Sequence, residues 1–307
     1  MTIAAAAQPV SREVEATVAD GTLRGTLLAP AAASKAAAVI VAGSGPTDRN
    51  GNSPLGISAS TYRMLAEALA ERGVATVRYD KRGIGGSAAV APDANAVTVA
   101  AFAGDAAAWI EVARREVGTP CAWLVGHSEG GLMSLVAAQD NASVCGLVLL
   151  SAPGRRFGDL LRDQLWSNPA NWFLMSDALR AIAALERGEK VDVSGMHEAL
   201  QRLFYPGVQG YLIDLFSRDP AALAAAETRP MLIVQGGNDI QVKRLDFDAL
   251  AAAQPKAETL FMLAMNHVLK DVPENDPAAN IGSYSNPDLP LAAGLADELA
   301  TFLTRRR

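Results

Sequence analysis

The pentapeptide Gly126-His127-Ser128-Glu129-Gly130 constrains the fold of this chain more than any other feature. It lies between a short apolar run at 121–125 and a segment whose apolar residues recur at helical spacing. A serine at a strand–helix junction occupies a sharp turn, often with positive φ, and glycines two residues away on each side give the backbone room. The turn lifts the hydroxyl above the sheet and places it at a helix N-terminus, whose dipole favours developing negative charge. We therefore predict that Ser128 is a nucleophile; the alternative is a serine that caps a helix.

Strand and helix patterns alternate along most of the chain. Apolar strands are predicted at 37–41, 74–79, 121–125, 146–150, 231–235 and 259–263, and helices at 62–70, 97–117, 245–253 and 291–303. This alternation predicts an α/β fold with a mostly parallel central sheet and helices on both faces. Two further strands, at 14–18 and 23–28, are joined at Asp20-Gly21 and predict an antiparallel hairpin at the sheet edge.

Residues 154–228 interrupt this alternation, because they contain helical runs and many large side chains but no buried strand. We predict a helical cap over the carboxyl ends of the strands, where ligands bind in open α/β sheets. Residues 1–153 and 229–307 then form the core. Four large side chains of the insertion are candidates for substrate contact, although aromatic residues also form the interior of such caps. They are Trp166, Trp172, Phe204 and Tyr205.

The three histidines of the chain limit the choice of a general base. A serine nucleophile needs a base within hydrogen-bond reach and a group that orients this base. His267 follows the last predicted strand of the sheet, in a loop that can reach the serine. His127 is predicted to pack beside the serine, and His197 to lie at the surface of the insertion.

Asp239 is the predicted orienting acid, because it follows the strand at 231–235 and lies between the serine and His267 in chain order. The alternative role for Asp239 is a helix cap. Asp271 is a rival acid, whereas Asp246 and Asp248 fall on the next helix and are predicted to be solvated.

These residues predict acyl transfer through an acyl-enzyme. Ser128 attacks a carbonyl while His267 takes its proton, and Asp239 holds the imidazole in the required tautomer. The tetrahedral oxyanion needs hydrogen-bond donors placed in advance. The backbone N–H groups of Glu129 and Ser44 are predicted to be these donors, and the Glu129 carboxylate is predicted to complement the helix dipole.

The assembly resembles the α/β-hydrolase family over nearly the whole chain. The strand–Gly-x-Ser-x-Gly–helix unit, the order Ser128, Asp239, His267 and the segment YDKRGIGGS at 79–87 all match. The resemblance implies a structural role for Asp80 and Arg82. The stretches GSGPTDRNGN at 43–52 and NHVLK at 266–270 resemble a bacterial branch of serine esterases and peptidase-like hydrolases. Many lipases carry His-Gly at the oxyanion loop, where this chain has Ala-Gly.

Three functions are compatible with these motifs. We expect a cofactor-free serine hydrolase of carboxylic esters with short to medium acyl chains. A peptidase or amidase would use the same triad, and a non-catalytic receptor for a small ligand could keep the same pocket. Arg49 is a candidate for binding a substrate carboxylate, which would favour a peptidase or an acid-bearing ester; alternatively, its loop is pinned by Asx turns and an ion pair.

Charge and cysteine content bear on partners and compartment. A net charge of −6, with no charged block besides the arginines at 305–307, argues against nucleic acid and gives no membrane-surface signal. No apolar run approaches a membrane span, and residues 1–9 lack the features of a signal peptide. Cys121 and Cys145 are predicted to be free buried thiols, so we expect a cytoplasmic protein. We expect no metal, no dinucleotide and no partner besides a small ester; the sequence does not indicate an oligomeric state.

Overall fold

The computed structural model describes residues 8–91 and 97–305, so the expectations for the chain ends at 1–7 and 306–307 lie outside the described residues. Within these ranges, eight strands form one sheet in the order β1-β2-β4-β3-β5-β6-β7-β8. They are β1 (Val10–Val18), β2 (Gly21–Ala29), β3 (Ala36–Val41), β4 (Val74–Tyr79), β5 (Ala122–His127), β6 (Val144–Leu150), β7 (Met231–Gly236) and β8 (Glu258–Met262). The β1–β2 and β2–β4 pairs are antiparallel and the remaining pairs are parallel. The predicted fold class and the edge position of the hairpin are confirmed.

Helices connect these strands. They are α1 (Thr61–Glu71), α2 (Val99–Val117), α3 (Glu129–Ala138), α4 (Phe157–Trp166), α5 (Met175–Glu186), α6 (Glu198–Leu203), α7 (Gln209–Ser217), α8 (Pro220–Ala226), α9 (Arg244–Ala253), α10 (Pro277–Ser283) and α11 (Leu295–Thr304). Short 3-10 helices occupy Gly85–Val90 and Pro169–Leu174. In the described part of the chain, no helix has both the length and the apolar character needed to cross a bilayer.

The sheet separates two apolar cores. Successive residues of β3 alternate between them, because side chains of a strand point to opposite faces. Helices α2, α3 and α9 cover one face, and α1 and α11 cover the other. Both faces are therefore buried, which explains why the central strands are continuously apolar rather than alternating.

The segment between β6 and β7 is helical and carries α4 to α8. Its apolar residues belong to the same buried cluster as those of α2 and α3; they include Phe157, Leu160, Ile182, Leu185 and Phe204. A separate cap domain with the predicted boundaries stays a prediction. The prediction that Asp246 is solvated is wrong. Its side chain is buried and accepts hydrogen bonds from the backbone of Gly154 and from Arg155, which ties α9 to the start of the insertion.

The prediction of two free thiols is also wrong, because Cys121 and Cys145 form a disulfide across the start of β5 and β6. Their Cα atoms lie 5.2 Å apart. The pairing of these two strands is irregular between Ala122 and Trp123, and Cys145 lies at this irregularity. The cytoplasmic expectation therefore loses the support that it drew from the cysteines.

Candidate active site

Ser128 lies in a strained turn between β5 and α3, with φ of 54° and ψ of −128°. Its backbone N–H donates to the carbonyl of Leu150 at 2.9 Å, which fixes the turn against the neighbouring strand β6. Non-glycine residues rarely adopt positive φ, and such strain is concentrated at functional sites. The half-buried side chain faces two cavities.

Gly126 and Gly130 permit this turn because each is in contact with other backbone. A Cβ at Gly126 would lie 2.4 Å from the carbonyl oxygen of Gly130, and one at Gly130 would lie 2.2 Å from that of Val41. Both distances are shorter than any side chain tolerates, so α3 approaches the sheet closely only with glycine at both positions. This packing is the physical content of the pentapeptide pattern.

His267 and Asp239 meet at the carboxyl edge of the sheet. The Nδ1 atom of His267 lies 2.8 Å from Oδ2 of Asp239, and both side chains are buried. His267 and Ser128 line one small cavity of about 70 Å³. The rival acid Asp271 instead accepts a hydrogen bond from the backbone of Ala293.

The Asp239 carboxylate is held ionised by its surroundings. Burial works to raise its pKa, but the charge and hydrogen bond of His267 and the N–H groups of Gln241 and Val242 together hold the pKa below its usual value. The two backbone N–H groups donate to Oδ1 at 2.8 Å and 2.9 Å, which leaves Oδ2 for the imidazole. This geometry fixes the Nδ1–H tautomer of His267 and leaves Nε2 free to accept a proton.

His127 is buried in a hydrogen-bonded chain, which the sequence analysis predicted only as packing. Its Nε2 atom donates to the backbone carbonyl of His267 at 2.8 Å, so its Nδ1 atom accepts from the Tyr62 hydroxyl at 2.8 Å. The Tyr62 hydroxyl in turn accepts from the backbone N–H of Gly43 at 3.0 Å. Burial first and the neighbouring His267 second lower the His127 pKa to about 3, so the ring is neutral. The chain links the loop after β3 to the loop that carries His267.

The loop after β3 brings Gly43 and Ser44 to Ser128. A Cβ at Gly43 would lie 3.0 Å from Cβ of Ser128, so glycine allows the loop to approach. Among residues 8–91 and 97–305, the backbone N–H groups of Ser44 and Glu129 have no hydrogen-bond acceptor. Two N–H donors beside a serine hydroxyl are the arrangement that stabilises an oxyanion.

The Glu129 side chain is buried beside these donors. Its two carboxylate oxygens accept from the Ser44 hydroxyl at 2.9 Å and from the Tyr211 hydroxyl at 2.7 Å. Burial first and Glu129 second raise the pKa of Tyr211 well above its usual value, so this phenol stays protonated and donates. Glu129 therefore connects the loop after β3 to α7 of the insertion.

A large cavity of about 300 Å³ opens from Ser128 under α4 and α7. Its lining is mostly apolar and includes Phe157, Leu160, Leu161, Leu203, Val208, Leu212, Leu215 and Phe216, with Ser44, Ser128, Glu129, Tyr211, Gln164 and Gln241 as its polar members. The small cavity also borders Ser128 and is lined by His267, Ile57, Val268 and Tyr284. Ser128 therefore borders both a large apolar cavity and a small one, and His267 lines only the small one.

The structure does not bring the four predicted substrate-contact residues of the insertion to either of these cavities. Trp166, Trp172 and Tyr205 are exposed, and Phe204 is fully buried inside the helical layer. Leucines at helical spacing along α4 and α7 line the large cavity instead. The large side chains of the insertion are evident in the sequence, but the sequence does not tell which of them meet a cavity, the core or solvent.

Arg49 is held in its own loop. Its guanidinium contacts Asp80 at 2.9 Å and Glu13 at 2.6 Å, and only 15% of the side chain is exposed. The Asp48 carboxylate accepts from the backbone N–H groups of Asn50 and Asn52, as in an Asx turn. These contacts bear out the alternative in which the loop pins itself. Arg82 likewise forms a buried ion pair with Asp105, in agreement with the structural role implied for it.

Comparison with known proteins gives two kinds of similarity. The family described as serine aminopeptidase, S33, matches residues 55–265, which is more than half of the chain. Esterase EstD of Thermotoga maritima is 27% identical over 212 residues, which cover 68% of this chain and 48% of the relative. The chain thus spans about half the length of the curated relative that it matches.

Solved structures share the fold at low identity. An esterase of Pyrococcus furiosus superposes with a TM-score of 0.58 at 15% identity, covering 97% of this chain and 93% of its own. Proline iminopeptidase of Mycobacterium smegmatis superposes with a TM-score of 0.60 at 15% identity, covering 95% and 97%. Both an esterase and a peptidase thus share this architecture, so the fold does not distinguish between the two activities.

Proposed function

The chain belongs to the serine aminopeptidase S33 family and has the α/β-hydrolase fold, and from this premise we propose that it hydrolyses carboxylic esters through an acyl-enzyme. The observation that carries the proposal is Ser128, in its strained turn, between a His267–Asp239 pair and an apolar cavity. The Thermotoga relative is named an esterase, which supports the same reaction class.

The mechanism follows from the positions of the groups. Ser128 Oγ attacks the ester carbonyl while His267 Nε2 takes its proton, and the negative charge that develops on the carbonyl oxygen is stabilised by the N–H groups of Ser44 and Glu129. Collapse of the intermediate breaks the bond to the alcohol, whose oxygen receives the proton from His267. Water then attacks the acyl-enzyme by the same route and releases the acid.

We propose that each of the two cavities holds one half of the ester. The leaving alcohol must lie on the side of His267, because this histidine donates its proton to the departing oxygen. His267 lines the small cavity, so the alcohol is small. The acyl chain occupies the large cavity under α4 and α7, whose volume of about 300 Å³ lies at the lower end of the range for small-molecule sites. We therefore propose a short to medium acyl chain and a short alcohol.

The polar lining of the large cavity supports an ester over an aminoacyl substrate. An aminopeptidase must hold a charged amino group near the scissile bond, and burying such a charge requires an acidic partner. Glu129 is the carboxylate among the cavity's lining residues in the described chain, and its oxygens already accept from Ser44 and Tyr211. A neutral acyl group requires no such partner.

Labelling of the nucleophile tests the reaction class without a known substrate. The protein is incubated with a fluorophosphonate probe and the adduct is mapped by mass spectrometry, with Ser128→Ala as the control. We expect an adduct on Ser128, and no labelling or ester turnover in the variant, which should fold normally because the hydroxyl lies in a turn outside the core. Labelling that persists in Ser128→Ala would overturn the assignment of the nucleophile.

A pair of isomeric esters tests the assignment of the cavities. Ethyl hexanoate and hexyl acetate have the same composition and differ only in which half of the ester is long. We expect a kcat/KM at least tenfold higher for ethyl hexanoate, because the long chain then lies in the large cavity and away from His267. A preference for hexyl acetate would reverse the assignment.

An arylamide separates the ester hydrolase from the peptidase. We expect hydrolysis of p-nitrophenyl butyrate with a kcat/KM far above that of an amino-acid p-nitroanilide. A clear preference for the anilide would replace the esterase proposal by an aminopeptidase, which the family name would then describe directly.

A further inference from the structure

Lys81 belongs to the segment at 79–87 that resembles the α/β-hydrolase family, and it is a buried cation with no role in the mechanism above. It lies in the segment directly after β4, and its side chain is 8% exposed. Its ammonium donates to the backbone carbonyl of Gly43 at 2.7 Å and lies 5.5 Å from the centre of the Phe102 ring. Strands β3 and β4 are parallel neighbours, so the loops that follow them meet at the same edge of the sheet.

The carbonyl that Lys81 contacts belongs to the same peptide group as the N–H of Ser44. A peptide group is a resonance-stabilised dipole, so a cation on its oxygen draws electron density away from its nitrogen and makes the N–H a stronger donor. Charge-assisted hydrogen bonds are roughly twice as strong as neutral ones, and the effect is largest in a site of low dielectric. The N–H at the other end of this peptide group is one of the two donors proposed for the oxyanion, and Ser44 lines both cavities that border Ser128.

Lys81 also faces the buried Glu129 carboxylate, whose charge stabilises the charged form of the lysine. A carboxylate beside the place where an oxyanion forms opposes that oxyanion by like-charge repulsion. A cation on the opposite end of the Gly43–Ser44 peptide offsets this repulsion. Glu129, Lys81, Phe102 and Tyr211 line one cavity of about 260 Å³, which adjoins the large cavity at Glu129 and Tyr211.

We propose that Lys81 is a positioning residue of the oxyanion hole, which holds the Gly43–Ser44 peptide in place and polarises it toward the transition state. The inference rests on the proposed function, because it concerns the donors of that same reaction. Lys81 lines neither of the two cavities that border Ser128, so we expect it to contribute to the chemical step and not to binding.

Substitution of Lys81 by methionine tests whether the charge of the lysine, and not only the volume of its side chain, matters for the rate. Lys81→Met keeps an unbranched apolar side chain but removes the charge and the donor. We expect kcat to fall on the order of tenfold or more with KM nearly unchanged, since the lost interaction stabilises only the transition state. We expect the rate of inactivation by the fluorophosphonate to fall in parallel, because the phosphoryl oxygen occupies the oxyanion hole while Ser128 Oγ displaces fluoride and His267 takes the proton.

Gln254→Met is the control. The buried Gln254 side chain also donates to backbone carbonyls, those of Ala224 and Glu227, but it lines neither of the cavities that border Ser128. Both variants are checked by thermal unfolding and near-ultraviolet circular dichroism. Equal losses of kcat in the two variants would overturn the proposal, as would a Lys81→Met enzyme whose kcat lies within twofold of the wild type.

Lys81→Arg gives a second, independent readout. Burial lowers the pKa of Lys81, so loss of its proton at alkaline pH should depress kcat in the wild type. The groups that face it are Glu129 of α3, Tyr211 of α7 and its neighbour Arg82, which is paired with Asp105 of α2. An arginine keeps the charge to higher pH. We expect Lys81→Arg to retain activity and to move the alkaline limb upward, whereas an unchanged limb would contradict the proposal.

These outcomes distinguish this inference from the proposed function. If the wild type neither reacts with the fluorophosphonate nor hydrolyses esters, the proposed function fails. If the wild type reacts and Lys81→Met reacts at the same rate, the proposed function stands and the role of Lys81 fails.

Discussion

At the scale of one residue, the backbone conformation of Ser128 lowers the stability of the folded chain. Its positive φ is a conformation that serine adopts at a cost of about 1–3 kcal/mol, which the packing of Gly126 and Gly130 imposes. The pentapeptide in the sequence predicts this strain, because glycine is needed where α3 contacts the sheet, whereas the proposed nucleophile between the two glycines must keep its side chain. The turn exposes the hydroxyl to both cavities, and its strain reduces the free energy of unfolding.

Ser128→Gly should therefore stabilise the protein while abolishing its activity. Glycine adopts positive φ freely, so we expect a free energy of unfolding about 1 kcal/mol above that of Ser128→Ala, which keeps the Cβ and its strain. Urea denaturation of the two inactive variants measures the difference, with Ser128→Ala as the matched control. Equal stabilities would mean that the turn is not strained in the folded protein.

His127 makes the stability of the protein depend on pH. Its pKa falls from 6.5 to about 3 on folding, because the ring is buried between Tyr62 and the His267 carbonyl. Below pH 6.5 the unfolded chain binds a proton that the folded chain excludes, so stability is lost as the pH falls toward 3. Between pH 6.5 and about 5 this single group should cost about 2 kcal/mol.

The His127→Gln variant provides the test, since a neutral amide does not titrate. Urea unfolding at several pH values gives the slope of stability against pH for both proteins. We expect the slope between these pH values to be shallower in the variant by the equivalent of one proton. Identical slopes would show that His127 is not held neutral in the folded state.

At the scale of elements, α4 and α7 define the space available to the acyl chain. Leucines of both helices line the large cavity, which the proposed function assigns to the acyl group. Leu212 lies on α7, is half-buried and borders this cavity, whereas Leu223 on α8 is half-buried without bordering it. The two positions therefore separate cavity volume from general packing.

Leu212→Trp should shorten the range of accepted acyl chains. The larger side chain fills part of the cavity, so we expect the ratio of kcat/KM for p-nitrophenyl octanoate to that for the acetate to fall about tenfold. Leu223→Trp, the control, should leave this ratio unchanged. If both ratios stay at the wild-type value, the acyl chain does not lie under α7.

The elements differ in how far the sequence could predict them. Strands such as β4 were predicted to the residue, because a buried parallel strand is a continuous apolar run bounded by turn residues. Histidine scarcity and strand ends also led to His267 and Asp239, which the structure brings to 2.8 Å. The assignment of Trp166 and Phe204 to substrate contact is wrong, because the abundance of large side chains in the insertion does not tell which of them meet a cavity, the core or solvent.

Tertiary pairing was the part that the sequence did not indicate. Asp246 was predicted to be solvated, yet Arg155, ninety-one positions away in the chain, forms its ion pair. The disulfide depends on the register of β5 against β6, and this register is irregular where the cysteines lie. The proposed role of Lys81 likewise depends on β3 and β4 being neighbours, which is a property of strand order.

At the scale of the whole molecule, the candidate site and the disulfide lie at opposite edges of the sheet. The loops that follow β3, β4, β5, β7 and β8 bring Ser44, Lys81, Ser128, Asp239 and His267 to one edge, as expected for parallel strands. The disulfide joins the amino-terminal ends of β5 and β6, at the edge of the sheet opposite to the candidate site. Six residues of extended strand place Cys121 about 20 Å from Ser128.

Removal of the disulfide should therefore weaken the fold without changing the chemistry. The bridge closes a loop of 24 residues, which constrains the unfolded chain by about 3 kcal/mol. We expect the double variant Cys121→Ser, Cys145→Ser to unfold at lower urea concentration while its kcat stays within twofold of the wild type. Reduction of the wild type should produce the same shift, and unreduced wild type denatured in urea should present no reactive thiol. If activity falls on reduction while the stability stays unchanged, the disulfide affects the site directly, and the prediction is wrong. The position of the disulfide at the far end of β5 gives no reason to expect this result.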